Sequence, residues 1–363
     1  MTQAKFATCA EACAFVGIEE PRRIKIGGWV RSDALDCGKR GRLDGAVKFW
    51  PDEKGGIAVN NRKADSDLTK RALFIYGLSE ATKLSRRELL EQKRRTAEAR
   101  RRQAEAERRE VRAVASIARQ LEAAARSGVH PYLQAKRVAS VLGAPRGVLS
   151  RADLLRIFSA APAEAFADGE RPSLPAGNEF LFVPLTGAEA LAPMSAQLIT
   201  DAQGGGNKRL LKGTHKFTME NGEALGLLWA PADLPFRSSD GFTLGLAEGV
   251  ATALSVRRLF GFPCCAGIDC GNLAKAARTL RRRYPNAHIK IMADRDPHGA
   301  GWAGAREALA ALSLWQITPN ASAVLCPEAN ARELQAFRQI TGRPDAQITD
   351  FNDYEIARTY ANQ

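Results

Sequence analysis

The feature that most constrains this chain is a regular alternation that begins at Gly241. FTLGLA, FPCCAG, HIKIMA and SAVLC are short, continuously apolar runs, separated by the amphipathic stretches GVATALSVRRLFG, NLAKAARTLRRRY and GWAGAREALAAL. A further helix is expected near Ala331. A strand that is apolar at every position must be buried on both faces, so this α/β pattern predicts a parallel sheet with flanking helices. In such a sheet, ligands gather beyond the carboxyl ends of the strands.

Three acidic clusters fall at such places. IKIMADRDPHGAG puts Asp294 and Asp296 after the third run, two residues apart and therefore on one side. Like charges that close resist ionising unless a cation sits between them. Glu248 follows FTLGLA directly, and Asp350 and Asp353 lie in TDFNDYEIA, just before a short terminal helix. Each cluster alone is explained by helix capping; three along one sheet point to a shared task. Oxygen ligands without His or Cys suit Mg2+ or Mn2+ rather than zinc. Such ions serve in-line displacement at phosphorus. His298, beside the acidic pair, reads as a structural turn residue.

A formal net charge of +13 favours a polyanionic partner, nucleic acid before an acidic membrane surface. No apolar run approaches the roughly 18 residues that span a bilayer. MTQAKFATCAEACAFVG does not read as a signal peptide, so a cytoplasmic protein without membrane contact is expected. Residues 1–78 read as a small β-rich domain: a helix from Phe6 to Val16, then strand-like RIKIGGWVRS, GAVKFWP and GGIAVNN. Its Trp29, Phe49 and Trp50, with Arg31, Lys39, Arg40, Arg42 and Lys48, form either a stacking surface for single strands or a small core with a solvated basic rim.

Residues 79–128 contain no Gly or Pro before Gly128 and consist of strong helix formers. Between Lys83 and Arg126 stand 14 Lys and Arg against 7 Glu, and from Glu91 to Glu110 the only apolar side chains are alanines. That predicts a long, basic, exposed helix, a linker or one that also tracks a phosphate backbone. In residues 129–237, NEFLFVPLTG reads as a buried strand and MSAQLIT as an edge or half-buried one. DAQGGGNKRLLKGTHKF is a glycine-rich turn followed by Lys208, Arg209, Lys212 and Lys216, cations suited to phosphate. It does not fit a P-loop, so an ATPase is not supported. The seven cysteines are scattered; Cys9, Cys13 and Cys37 lack a fourth ligand at zinc spacing and read as ordinary thiols, and Cys264 and Cys265 as core.

LAEGVATALS, then IMADRDPHGAG, then DFND, resembles the TOPRIM domain of bacterial and mobile-element primases: Glu-Gly after the first strand, Asp-x-Asp after a later one, a final acidic motif. FLFVPL, the GGNKRLLKG hairpin and AGIDCGNL look like the single-subunit primases of plasmids, phages and integrative elements, over about residues 130–363 and only loosely over 1–78. The resemblance implies a TOPRIM-like catalytic domain at 238–363. Before it would come a mixed α+β primase-type subdomain at 129–237, the basic helical linker and the N-terminal domain. It implies Mg2+ (or Mn2+) on Asp294 and Asp296, with Glu248 as further ligand or general base and Asp350 and Asp353 completing the pocket. Lys208, Arg209, Lys212, Lys216 and Asn272 would contact template or nucleotide.

The implied activity is synthesis of short RNA primers from NTPs on a single-stranded DNA template, for replication or transfer of a mobile element. The zinc ribbon of replicative primases is not recognisable here. No Walker motif is present, so a replicative helicase would be a separate partner. A nuclease or nicking enzyme using the same acids, and a non-catalytic single-strand-binding module, are the alternatives. A topoisomerase is disfavoured, because no Tyr stands in a motif built for a covalent DNA link.

Overall fold

The computed structural model describes residues 4–21, 23, 25–35, 43–63, 68–76, 86–162, 165, 174, 176–189, 191–200, 208–211, 218–220, 223–313 and 323–363. They pack as two compact units, Met1–Arg108 and Arg109–Gln363.

The first unit holds β1 (Ala4–Phe6), α1 (Cys9–Val16), β2 (Trp29–Ser32), β3 (Gly45–Phe49), β4 (Gly56–Asn60) and β5 (Arg71–Phe74). Its five-stranded sheet has the order β1-β5-β4-β3-β2 and is antiparallel except for β1 beside β5. The helix starts at Cys9, not at Phe6 as expected. Thr8 and Glu11 form a reciprocal capping box that fixes the start, and Ala4–Phe6 joins the sheet instead. Among the described residues of RIKIGGWVRS, Trp29–Ser32 is the strand, preceded by Gly27 in the left-handed region at φ 73°. RALF at Arg71–Phe74 is a strand the sequence did not announce.

Helix α1 covers one sheet face, where Cys9, Ala12, Cys13 and Val16 pack with Val47, Phe49, Ala58, Ala72 and Phe74. Phe49 is 3% exposed and belongs to this core, in line with the second of the two readings of the aromatic set. It shares a side with Val47, which leaves Lys48 and its cross-strand partner Trp29 on the opposite face. The Cys9 and Cys13 thiols lie 3.8 Å apart in the core. Cys37, Lys39, Arg40 and Arg42 lie outside the described residues.

The basic stretch forms α2 (Arg86–Ala124), exposed from Ala104 to Arg109 as expected. Its last third is no solvated linker: Val114, Ile117, Ala118 and Leu121, at i, i+3, i+4 and i+7, are buried in the second unit. There follow β6 (Arg126–Ser127), α3 (Pro131–Ala135), β7 (Gly147–Ser150), α4 (Arg151–Ala160), β8 (Glu179–Leu185), β9 (Ser195–Thr200), β10 (Lys208–Leu210), β11 (Thr218–Glu220) and β12 (Glu223–Leu225). The α/β region holds β13 (Thr243–Ala247), α5 (Val250–Phe260), β14 (Cys264–Ala266), α6 (Leu273–Arg283), β15 (His288–Met292), α7 (Ala300–Ser313), β16 (Ala323–Leu325), α8 (Ala331–Thr341) and α9 (Phe351–Ala361).

An antiparallel sheet of order β10-β9-β8-β7-β6 lies between two cores. Phe180, Phe182, Ala196 and Leu198 pack on α2 and α4. From the other face, Leu181, Val183 and Ile199 meet Val250 and Leu254 of α5 and Met292 of β15. Strand β9, expected at an edge or half-buried, is therefore buried at every position, Ser195, Gln197 and Thr200 included, with β10 pairing its outer side.

The parallel sheet is as the alternation predicts: order β14-β13-β15-β16, every pair parallel. Helices α6 and α7 bury Leu244, Leu246, Ile289 and Ile291 on one face. Helix α5 and Phe351 of α9 occupy the other. The chain leaves β13 to one side for β14 and returns to the other for β15. The crevice of the topological switch thus opens beyond the carboxyl ends of β13 and β15. Among the described residues, no helix is long and apolar enough to cross a membrane.

Candidate active site

Glu248 directly follows β13 and Asp294 stands two residues beyond β15, so the two flank the switch crevice. A third acid, Asp269, arrives from the loop after β14. The Gly267 and Ile268 amides donate to the Ala247 and Glu248 carbonyls at 2.8 and 2.7 Å, stitching that loop to the end of β13. Ile268 has φ 78°, a region β-branched residues avoid, and this local strain sits directly before Asp269.

The C-terminal segment docks by backbone: the Arg295 amide donates to the Thr349 carbonyl at 2.6 Å. Asp350 caps α9 by accepting the Asp353 amide at 2.8 Å, and its other oxygen accepts the Thr252 hydroxyl at 3.3 Å. Asp353 accepts the Thr349 hydroxyl at 3.1 Å and stands behind Asp350. Asn352 donates to the Lys136 carbonyl at 2.8 Å and the Ser255 hydroxyl at 3.0 Å, so DFND holds the helix as well as supplying acids.

The electrostatics are those of a pit. Asp294 Oδ1 is buried with no hydrogen-bond partner among the described residues. Burial, then Asp350 and Glu248, push its carboxyl up to about 8, against the pull of Lys208. Burial and Asp269 raise Glu248, again opposed by Lys208. Burial and Asp350 raise Asp353. Lys208, reaching in from β10, is lowered by burial and by Lys136, while Asp350, Glu248 and Asp294 act to keep its charge.

Asp294 and Asp296, expected to act as a pair, divide the work. Asp296 accepts the Gly301 amide at 2.6 Å and the Ala300 amide at 3.0 Å at the start of α7, which holds its carboxyl below the usual range. Its charge still raises Asp294 and Glu248. The turn needs glycine: a Cβ on Gly301 would meet the Asp294 carbonyl at 2.8 Å and Asp296 Oδ2 at 3.0 Å.

Beside the acids lies the N-terminus of α5. Gly249 begins α5 with no side-chain cap, and a Cβ there would lie 3.9 Å from Lys208 Nζ. Open first-turn amides, the positive end of a helix and an ammonium together cradle phosphate. A cleft of about 680 Å³, lined by Asp294, Asp296, Phe260, Trp302 and Tyr354 among others, leads to the carboxylates.

The structure thus gathers Glu248, Asp294, Asp296, Asp350 and Lys208, with Asp353 just behind. It does not bring Asn272 to a nucleotide. That residue is 0% exposed, and its amide donates to the Leu227 and Gly267 carbonyls at 2.7 and 2.9 Å, bracing the β14 loop. The Arg209 side chain, Lys212 and Lys216 lie outside the described residues. Asp269 and Lys136 were missed. Asp269 follows an apolar run just as Glu248 and Asp294 do, so the same strand-end rule could have found it; Lys136 has no local signal.

Among the described residues, no three His, Cys, Asp or Glu side chains form a ready cage for a metal. Mg2+ needs none, since it keeps several waters and binds through one or two carboxylates plus substrate phosphates. The unpartnered Asp294 Oδ1 among acids that resist ionising fits such a cation, and the oxygen-only donors suit it.

Fold and site define a parallel α/β domain with an acidic pit at its switch point. Residues 243–359, from β13 into α9, match the Toprim domain, a family that typically binds divalent metal. No curated protein matches the chain. Among solved structures it is similar to the primase fragment of the bacteriophage T7 primase-helicase protein (17% identity, TM-score 0.29, 46% of this chain and 60% of that one). It is also similar to the DnaG catalytic core (15%, 0.35, 54% and 63%) and to the DnaG primase catalytic domain bound to ssDNA (13%, 0.37, 62% and 76%). The chain spans less than two thirds of the length of the first two.

Proposed function

We propose that this chain is a DNA primase, joining NTPs into short RNA primers on single-stranded DNA in the replication or transfer of a mobile element. The observation that carries the reading is the carboxylate pit around Lys208 at the switch crevice, which combines cation and phosphate recognition in one place. In this reaction the 3′-hydroxyl of one nucleotide attacks the α-phosphorus of the next. A P–O bond forms, the bond to the β-phosphate bridging oxygen breaks, and pyrophosphate leaves with the electron pair.

Glu248, whose pKa burial and Asp269 hold above the usual carboxylate range, accepts the hydroxyl proton as its carboxylate. Lys208 and the first turn of α5 bind phosphate oxygens. Asp294 and Asp350 would hold a divalent cation, which would offset charge developing on the transferred phosphoryl and leaving groups. Asp296 and Gly301 keep Asp294 in place.

The test is incorporation of labelled NTPs on single-stranded DNA, with Mg2+ and Mn2+ compared. Template-dependent product is expected, lost in Asp294→Ala while template binding persists. Template cleavage without product would replace the primase by a nuclease, and binding with neither reaction would leave a binding module.

A further inference from the structure

The first unit offers a second surface, independent of the acids. Helix α1 covers only one face of its sheet. Strand register places nine described residues on the other. Trp29, Lys48, Ile57, Leu73 and Lys5 form one cross-strand row, and Arg31, Ala46, Val59 and Arg71 the next. None of the nine is a carboxylate and four are cations. No ion pair joins Lys5, Arg31 or Lys48 to an acid among the described residues.

Trp29 is 49% exposed at the β2 edge, with Lys48 directly across from it and Arg31 two residues along the same side. Between the cations run Ile57 and Leu73, both half-buried, while Ala46 and Val59 of the next row are buried. Five strands spaced about 4.8 Å apart give a row about 19 Å long.

We infer that the Trp29 side of this face binds single-stranded nucleic acid, a base stacking on Trp29 while Lys48, Arg31 and Lys5 take the phosphates. The charge complementarity selects a polyanion. The exposed indole between two cations selects one with free base faces, because a duplex hides its bases inside the stack.

The experiment measures binding of the full chain to a labelled oligothymidylate and to a duplex of equal length, across a salt series. Trp29→Ala is expected to weaken single-strand binding about 5- to 50-fold, with Trp29→Phe keeping most of the affinity. Lys48→Ala and Arg31→Ala should each reduce the salt slope by about 0.7. Melting curves show whether each variant is folded, and Lys48→Glu provides a charge-reversal arm that leaves Trp29 in place. Unchanged affinity in the folded variants overturns the inference. So does an equal loss on duplex, or a loss confined to anionic vesicles. The readout is binding alone, so a chain that binds through this face yet makes no primer overturns the proposed function and not this surface.

Discussion

The two units place their chemistry on different parts of a sheet. The parallel sheet β14-β13-β15-β16 is wrapped on both faces, so only its strand ends meet solvent, and there Glu248, Asp269 and Asp294 collect. The sheet of the first unit is covered on one face, and Trp29, Arg31 and Lys48 lie on the other. In the first case what matters is the residue that follows an apolar run. In the second it is odd or even position within a run, since a one-residue slip moves every side chain to the other face.

The largest expected effect tests the strand ends. Asp294→Ala should lower NTP incorporation on the order of 10³-fold; a loss under about tenfold would remove Asp294 from the centre of the site. Next comes the parity of the first unit. Phe49→Ala, on the inner face, should cost about 3–5 kcal/mol in denaturant unfolding of that unit. Trp29→Ala should cost under about 0.5 kcal/mol. Equal costs would erase the distinction between the two faces.

Asp294→Asn gives a test with a definite sign. The folded protein holds the Asp294 proton up to about 8, whereas the unfolded chain releases it near the ordinary value of 3.8. The folded state therefore binds the extra proton between these values, and metal-free stability falls as pH rises through that window. With chelator at pH 7.5 the variant should be more stable than the parent by about 2 kcal/mol, allowing for solvent on the open side of the pit. Added Mg2+ should stabilise the parent and not the variant. A parent whose metal-free stability is flat across this window breaks the description of the pit. The smallest effect separates two helix-start glycines. Gly301→Ala should cost about 1–3 kcal/mol, because its Cβ meets backbone and carboxylate. Gly249→Ala, with ordinary contacts only, should cost well under half of that in the same melts.

The parallel sheet and three of its acidic clusters were legible because both rest on local pattern: apolar runs, then a carboxylate. Asp269 obeyed that pattern and was passed over because no second acid or glycine stood directly against it. The aromatic set left a stacking surface and a small core both open, and the alternation of Phe49 with Lys48 divides it, Phe49 inward and Trp29 outward. The polarity of Ser195, Gln197 and Thr200 suggests an edge or half-buried strand for β9, and only the layers packed on it show it buried at every position. Lys136 and Asn352 meet through a bond spanning 216 residues, which no local window contains. The splitting of Asp294 and Asp296 into buried acid and turn holder depends on where α7 begins, and that is tertiary.

The docking of Thr349 on Arg295 has a consequence in time. The sheet and its flanking helices are complete by β16, but Asp350 comes from a segment made later. A chain growing from the ribosome can therefore close its core around β13 to β16 while the acidic pit still lacks one wall. The wall of the pit that Asp350 supplies is the last to be made, together with Phe351, which completes the core beneath it.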